Sequence, residues 1–240
     1  MTGNNGYLAE NRVNDKKQED NMAKTVGFIG SGNMGRAIIG GMIAAGFYTP
    51  SQILASARTK ETVEKIEKEL GIAATTDNAT VAKKADILFL AVKPGVFATV
   101  IPEIRDCCKE GQIVVSIAAG QTLTSITEMF GHEIKLVRAM PNTPALVGEA
   151  MSAVTPNNHV DEEEIQEVMA IFESFGKAEI VPETMMDAVI GVSGSSPAYV
   201  YMFIEAMADA AVADGMPRKQ AYKFAAQSVL GAAKMVLETG

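Results

Sequence analysis

Three glycines, Gly30, Gly32 and Gly35, stand at the spacing G-x-G-x-x-G directly after the apolar run Val26-Gly27-Phe28-Ile29. That spacing suits the binding of a dinucleotide. The first glycine permits a tight turn, the second lets a pyrophosphate approach the backbone, and the third lets a helix lie close on the preceding strand. The helix that follows offers free N–H groups and the positive end of its dipole to the phosphates. Thr25 to Gly46 therefore reads as the strand, glycine turn and helix of a Rossmann unit, and its context favours that over a merely structural glycine-rich turn.

About twenty residues further on, a ribose partner is expected at the end of the second strand. The chain reads Ala55-Ser56-Ala57-Arg58-Thr59-Lys60 there, with no acid and a basic residue instead. Small residues around Arg58 suit a 2′-phosphate, so NADPH is favoured over NADH; the alternative for Arg58 is a solvated loop charge. Ala91-Val92-Lys93-Pro94 closes another strand at the carboxyl edge, where ligands of such sheets bind. Lys93 reads there as a cofactor-edge or solvent-facing cation before a catalytic base. Ser116-Ile117-Ala118-Ala119-Gly120 ends the next strand with side chains too small to obstruct a nicotinamide ring. In Met140-Pro141-Asn142-Thr143-Pro144 the prolines stiffen a polar loop, in which Asn142 and Thr143 either position a substrate or cap and turn the chain.

Acid–base machinery is sparse. His132 and His159 fall in surface-like loops, and no metal-ligand spacing, paired carboxylates or Ser/His/Asp pattern is present. Hydride transfer to an already electrophilic carbon needs placement more than proton shuttling, so this scarcity fits a reductase.

The elements needed to hold these loops follow from the hydrophobic pattern. Short apolar runs alternate with amphipathic stretches from Lys24 onward, the pattern of a parallel sheet with helices on both faces. Strands are expected at 25–30, 52–57, 86–92, 112–117, 135–139, 150–154 and 178–181. Helices are expected at 33–46, 60–70, 96–109 (broken by Pro102), 124–130 and 161–175, the last capped by Asp161. After Pro182 the pattern becomes purely helical. Ser195 and Ser196 before Pro197 read as a cap, the first helix ends near Gly215, and Met216-Pro217 opens a second that continues to the end of the sequence. Small residues (Ala206, Ala210, Ala211, Ala225, Ala226, Gly231, Ala232, Ala233) run along these helices and favour close helix packing. The expected organisation is a polar, disordered leader over 1–21, a dinucleotide-binding domain over 22–184 and an all-α domain over 185–240.

Composition narrows the function classes. Of the 240 residues 48% are hydrophobic and 21% charged, enough for a sizeable core, and the net charge of −8 argues against a nucleic-acid surface. No run reaches the roughly 18 apolar residues of a membrane helix, and the leader lacks the apolar stretch of a secretory signal. Two adjacent cysteines, Cys107 and Cys108, read as partly buried free thiols. The expected location is the cytoplasm.

Taken together, Val26-Gly27-Phe28-Ile29-Gly30-x-Gly32, Leu90-Ala91-Val92-Lys93-Pro94, Met140-Pro141-Asn142-Thr143-Pro144 and Val192-Ser193-Gly194-Ser195-Ser196-Pro197-Ala198-Tyr199 resemble the pyrroline-5-carboxylate reductase family. Gly215-Met216-Pro217-Arg218 and Leu230-Gly231-Ala232-Ala233-Lys234-Met235 do so too, and the likeness runs from Met22 to Gly240. The resemblance implies reduction of L-1-pyrroline-5-carboxylate to L-proline with NADPH or NADH, the last step of proline synthesis. It implies a Rossmann domain followed by a helical domain that swaps helices in a homodimer or larger homo-oligomer. It places the cofactor at Ile29, Gly30, Ser31, Gly32, Asn33 and Met34, at Ala57 and Arg58, and at Asn78. It also places it at Ala91, Val92, Lys93 and Pro94, and at Ile117, Ala118 and Ala119. The resemblance places the segment Ser193 to Tyr199 at the start of the long helix beneath the nicotinamide and substrate, which makes Ser195 a candidate, beside Asn142 and Thr143, to line the substrate site. Ser196 departs from the family's usual glycine. The family's Ser-Pro-Gly-Gly-Thr loop, which holds the substrate carboxylate and imine, has no counterpart before Gly240, so the helical domain is expected to be incomplete. Two other readings are a non-catalytic NADPH-binding relative and a β-hydroxyacid-dehydrogenase-like enzyme; the second is disfavoured because 192–213 contains no lysine.

Overall fold

The computed structural model describes residues 24–240, so the leader expected over 1–21 lies outside the described residues. The chain divides into two units between Val189 and Ile190.

The first unit is built on an eight-stranded sheet in the order β3-β2-β1-β4-β5-β6-β7-β8. Its strands are β1 (Val26–Ile29), β2 (Ile53–Ser56), β3 (Ala73–Thr75), β4 (Ile87–Leu90), β5 (Ile113–Ser116), β6 (Lys135–Met140), β7 (Ala150–Pro156) and β8 (Gly176–Ile180). The helices between them are α1 (Asn33–Ala44), α2 (Lys60–Leu70), α3 (Asn78–Lys84), α4 (Phe97–Ile104), α5 (Leu123–Phe130), α6 (Glu162–Glu173) and α7 (Met186–Val189). From β1 the chain runs outward through β2 and β3, then returns across β1 to β4 and beyond. That reversal is the switch point of a doubly wound sheet.

Strands β1, β2, β4 and β5 are buried on both faces, which is why their sequences are unbroken apolar runs rather than alternating ones. Phe28 and Phe89 are cross-strand neighbours whose rings stack 4.7 Å apart, and Phe172 of α6 closes on Phe89 from above. The opposite face packs Leu54, Leu88, Leu90, Val114 and Leu136 against Val81, Phe97, Ile101, Ile104 and Ile126. The cap at Asp161 is present: its carboxylate accepts from the Glu164 N–H, and the Glu164 side chain accepts in return from the Asp161 N–H.

The structure departs from the sequence reading in four places. The sheet is not wholly parallel, because β7 runs antiparallel to β6. Strand β3 and helix α3 were not expected: three residues of small side chain carry no periodicity, and the seven-residue α3 is announced only by its cap at Asp77, which accepts the Ala79 N–H. The helix expected over 96–109 is α over Phe97–Ile104 only, with 3₁₀ turns at Pro94–Val96 and Arg105–Cys107, and it continues through Pro102 instead of breaking there. Ser195 does not cap the next helix. Its N–H donates to the Ile190 carbonyl at 2.8 Å in a π-helical turn over Ile190–Gly194, and its hydroxyl makes no capping bond.

The second unit is that turn followed by two helices, α8 (Ser196–Ala213) and α9 (Arg218–Thr239). Ala208, Ala221 and Ala225 are its buried residues. The expected small-residue stripe is therefore mostly solvent-facing, with Ala225 alone of its members buried. Arg218 pairs with Asp209 across the connection and lies over the Tyr222 ring. Tyr199, Tyr201, Met202, Phe203, Phe224 and Leu237 are exposed.

Candidate functional site

The geometry of the sheet decides where the predicted loops meet. Ile29 is in register with Ser56 on one side and Leu90 on the other, Leu90 with Ser116, and Ser56 with Thr75. Five parallel strands thus end on one row. Every cofactor segment expected from sequence leaves that row: Ile29–Met34 after β1, Ala57 and Arg58 after β2, Asn78 after β3, Ala91–Pro94 after β4, and Ile117–Ala119 after β5.

At the switch point Gly30 has φ +89°, a conformation open to glycine and costly for other residues. A Cβ there would stand 2.6 Å from Val92 Cγ1 and 2.9 Å from the Ala91 carbonyl oxygen, so the turn lies directly against the end of β4. A Cβ on Gly35 would meet the Gly30 carbonyl oxygen at 3.2 Å, as expected where a helix closes on its strand. A Cβ on Gly32 would meet nothing within 4 Å. Gly32 is the N-cap of α1 and brings no capping side chain, and the first turn of α1 holds no acid. An open space, uncapped N–H groups and the helix dipole together fit a pyrophosphate.

A hydrogen-bond chain that the sequence did not reveal, running from the buried Ser56 out to the exposed Glu103, holds this turn. Ser56 Oγ accepts from the Gly30 N–H at 3.3 Å and donates to Asn78 Oδ1 at 2.7 Å, and Asn78 Nδ2 donates to Glu103 Oε2 at 2.7 Å. Ser31 Oγ donates back to the Ser56 carbonyl, and Arg36 Nε donates to the Ser31 carbonyl. The available signal was a hydroxyl at the end of an otherwise apolar strand. Arg58 and Lys93 are exposed cations, and neither belongs to an ion pair among the described residues.

The polar loop after β6 has a structural duty. Asn142, 9% exposed, accepts the Met151 N–H on Oδ1 at 2.9 Å and so ties the loop to β7. Thr143 opens a 3₁₀ turn over Thr143–Val147 and is exposed. Ser195, half-buried, lies in the second unit.

Other concavities lie at the amino edge of the sheet. A cavity of about 700 Å³ is lined by Thr124, Thr127, Glu128, His132, Glu133 and His159, and His159 Nε2 pairs with Glu133 Oε2 at 2.8 Å. Both histidines are exposed. Among the described residues no group of three or more His, Cys, Asp or Glu gathers as a metal site, and no helix is long and apolar enough to cross a membrane. Cys107 and Cys108 are both free and half-buried, and burial pushes the Cys108 thiol up to about 11.

Known proteins agree with this geometry. Residues 25–120 match the family model "NADP oxidoreductase coenzyme F420-dependent", and residues 183–240 match "Pyrroline-5-carboxylate reductase dimerisation". The pyrroline-5-carboxylate reductase of Escherichia coli (strain K12) is 55% identical over 219 residues, covering 91% of this chain and 81% of the relative. The chain belongs to the pyrroline-5-carboxylate reductase family. Among solved structures, the pyrroline-5-carboxylate reductase of Coxiella burnetii superposes with a TM-score of 0.84 at 35% identity, over 90% of this chain and 80% of that one. The Plasmodium falciparum pyrroline carboxylate reductase, solved with NADP bound, gives 0.83 at 31% identity over 91% and 80%.

Proposed function

We propose that this chain reduces L-1-pyrroline-5-carboxylate to L-proline with NADPH as preferred donor, the final step of proline biosynthesis, as a homo-oligomer. The observation that carries the reading is the 55% identity to a pyrroline-5-carboxylate reductase across nearly the whole chain. The common row of strand ends supports it, because it gathers every expected cofactor segment on one edge.

Within this reading residues 22–184 bind the cofactor and residues 185–240 serve assembly and the substrate. When bound, NADPH supplies the hydride that reduces C5 of the protonated imine. The positive imine nitrogen already makes C5 electrophilic, so the protein's main work is alignment and exclusion of water. The N–H groups after Gly32 take the pyrophosphate, and Arg58 takes the 2′-phosphate as an unpaired cation at the end of β2. Ser56 and Asn78 hold the adenosine side of the cleft in shape. Ala91, Val92 and Pro94, with Ile117–Ala119, wall the reacting end with small or apolar side chains, and Lys93 stands at its edge as an exposed cation. The dimerisation-type second unit, with its exposed aromatic and aliphatic side chains, covers those faces with a second copy of the chain. The two free thiols accord with a reducing cytoplasmic setting.

The test is an assay following NADPH oxidation and proline formation from pyrroline-5-carboxylate. Tight NADPH binding with no proline formed would refute the reaction and leave a cofactor-binding protein.

A further inference from the structure

The loop from Ile117 to Thr122 joins β5 to α5, and an ion pair between the buried Arg138 and the half-buried Glu183 brackets it. Arg138 of β6 has a side chain only 7% exposed, a costly position for a charge without a partner. Its Nη1 donates to Glu183 Oε1 at 2.9 Å. The same oxygen accepts the N–H of Leu123, the first residue of α5, at 2.8 Å. At the loop's other end, Ser116 is the register partner of Arg138 in the sheet. One residue therefore governs both ends: Arg138 pairs by backbone with the residue before the loop and, through Glu183, with the residue after it.

Glu183 itself is held in place. Thr155, directly across from Arg138 in the antiparallel pair, donates its hydroxyl to the Val181 carbonyl at 2.6 Å, and the Val181 N–H donates to the Val154 carbonyl. The segment Val181-Pro182-Glu183 is thus fastened by two facing residues of β6 and β7.

We propose that Arg138 and Glu183 are positioning residues for the nicotinamide end of the cofactor, acting through the Ile117–Thr122 loop and not by contact. This rests on the proposed function, which places the reacting end of NADPH against Ile117–Ala119. A loop set at both ends before the ligand arrives need not be ordered on binding, and the saving falls on the part of the ligand that touches it.

The decisive variant is Arg138→Met/Glu183→Ala, which removes the tether without leaving a buried charge unpaired. Glu183→Gln is the conservative variant, since its amide oxygen still accepts from Leu123. Affinities are measured for NADPH and for 2′-phospho-ADP-ribose, which lacks only the nicotinamide ring, and thermal unfolding is followed alongside. In the double variant NADPH affinity should fall roughly three- to tenfold, the size expected for ordering a binding loop, while the fragment binds as to the wild type. Glu183→Gln should keep the wild-type ratio. Equal losses for both ligands, or no change in either, would overturn the proposal. Wild-type protein that binds both nucleotides but forms no proline would instead overturn the reaction, leaving the binding comparison to judge the tether.

Discussion

Gly32→Ala should leave folding nearly untouched and weaken the cofactor severely. Gly32 has φ −69°, open to any residue, and an added Cβ meets no atom within 4 Å. Alanine is a poorer N-cap than glycine by roughly 0.5–1 kcal/mol. Stiffening the unfolded chain returns roughly 0.4–1 kcal/mol, so the net change in stability is close to zero. If the pyrophosphate fills that space, the new methyl overpacks the complex at a cost of about 1–3 kcal/mol. That corresponds to roughly 5- to 150-fold in affinity. Gly30→Ala is the contrast. Its φ of +89° costs a substituted residue about 1–2 kcal/mol by itself, and its Cβ would stand 2.6 Å from Val92 Cγ1. That variant should lose stability and binding together. Thermal unfolding of the ligand-free proteins and fluorescence titration with NADPH measure both quantities. Wild-type NADPH affinity in Gly32→Ala, or a melting loss equal to that of Gly30→Ala, would refute the placement of the pyrophosphate.

Arg58→Asp should shift the ratio of NADPH to NADH efficiency by roughly 10- to 100-fold toward NADH, from the loss of about 1.5–3 kcal/mol of charged hydrogen bonding; an unchanged ratio of steady-state kcat/KM values would remove Arg58 from the 2′-phosphate site. Gly41→Ala places a Cβ 2.4 Å from Cβ of Phe175, and overpacking of about 2–3 kcal/mol should lower the melting midpoint by roughly 4–12 °C. A midpoint within a degree of wild type would contradict that packing. Stability should also decline in alkali. The folded Cys108 thiol ionises only at about 11 against an ordinary value of 9.0, and burial beside Glu167 raises the Tyr48 hydroxyl as well. The folded state therefore keeps protons that the unfolded chain releases. The Cys108 contribution is whole below pH 9 and is lost as the pH rises toward 11. Denaturant unfolding at pH 8, 9.5 and 11 checks the sign, and Cys108→Ala should flatten part of the fall.

Much of the cofactor edge was legible because its signals are local. Gly30, Gly32 and Gly35 state their backbone demands within six residues, and the apolar runs of β1, β4 and β5 announce strands covered on both faces. What escaped depends on distant partners. Ser56 and Asn78 lie 22 residues apart, and Arg138 and Glu183 lie 45 apart. An arginine inside the apolar strand Lys135–Met140 was the one visible hint that an acidic partner must exist elsewhere. The antiparallel turn into β7 was hidden for another reason: a buried strand has the same composition whichever way it runs. Ser195 shows the converse error. A serine before a proline carries the composition of a cap, but the π-helical turn before it takes the backbone in a different direction.

The helical hairpin of α8 and α9 has a thermodynamic consequence. Its buried set is three alanines, whose methyl groups bring little hydrophobic free energy against the ordering of two long helices. Stability of that unit must then be drawn from association, which makes it a property of concentration as much as of sequence. Dilution should loosen the hairpin before it disturbs the sheet, and the melting midpoint should climb with total protein. In the cell, the abundance of the chain would set the fraction of copies that are fully folded.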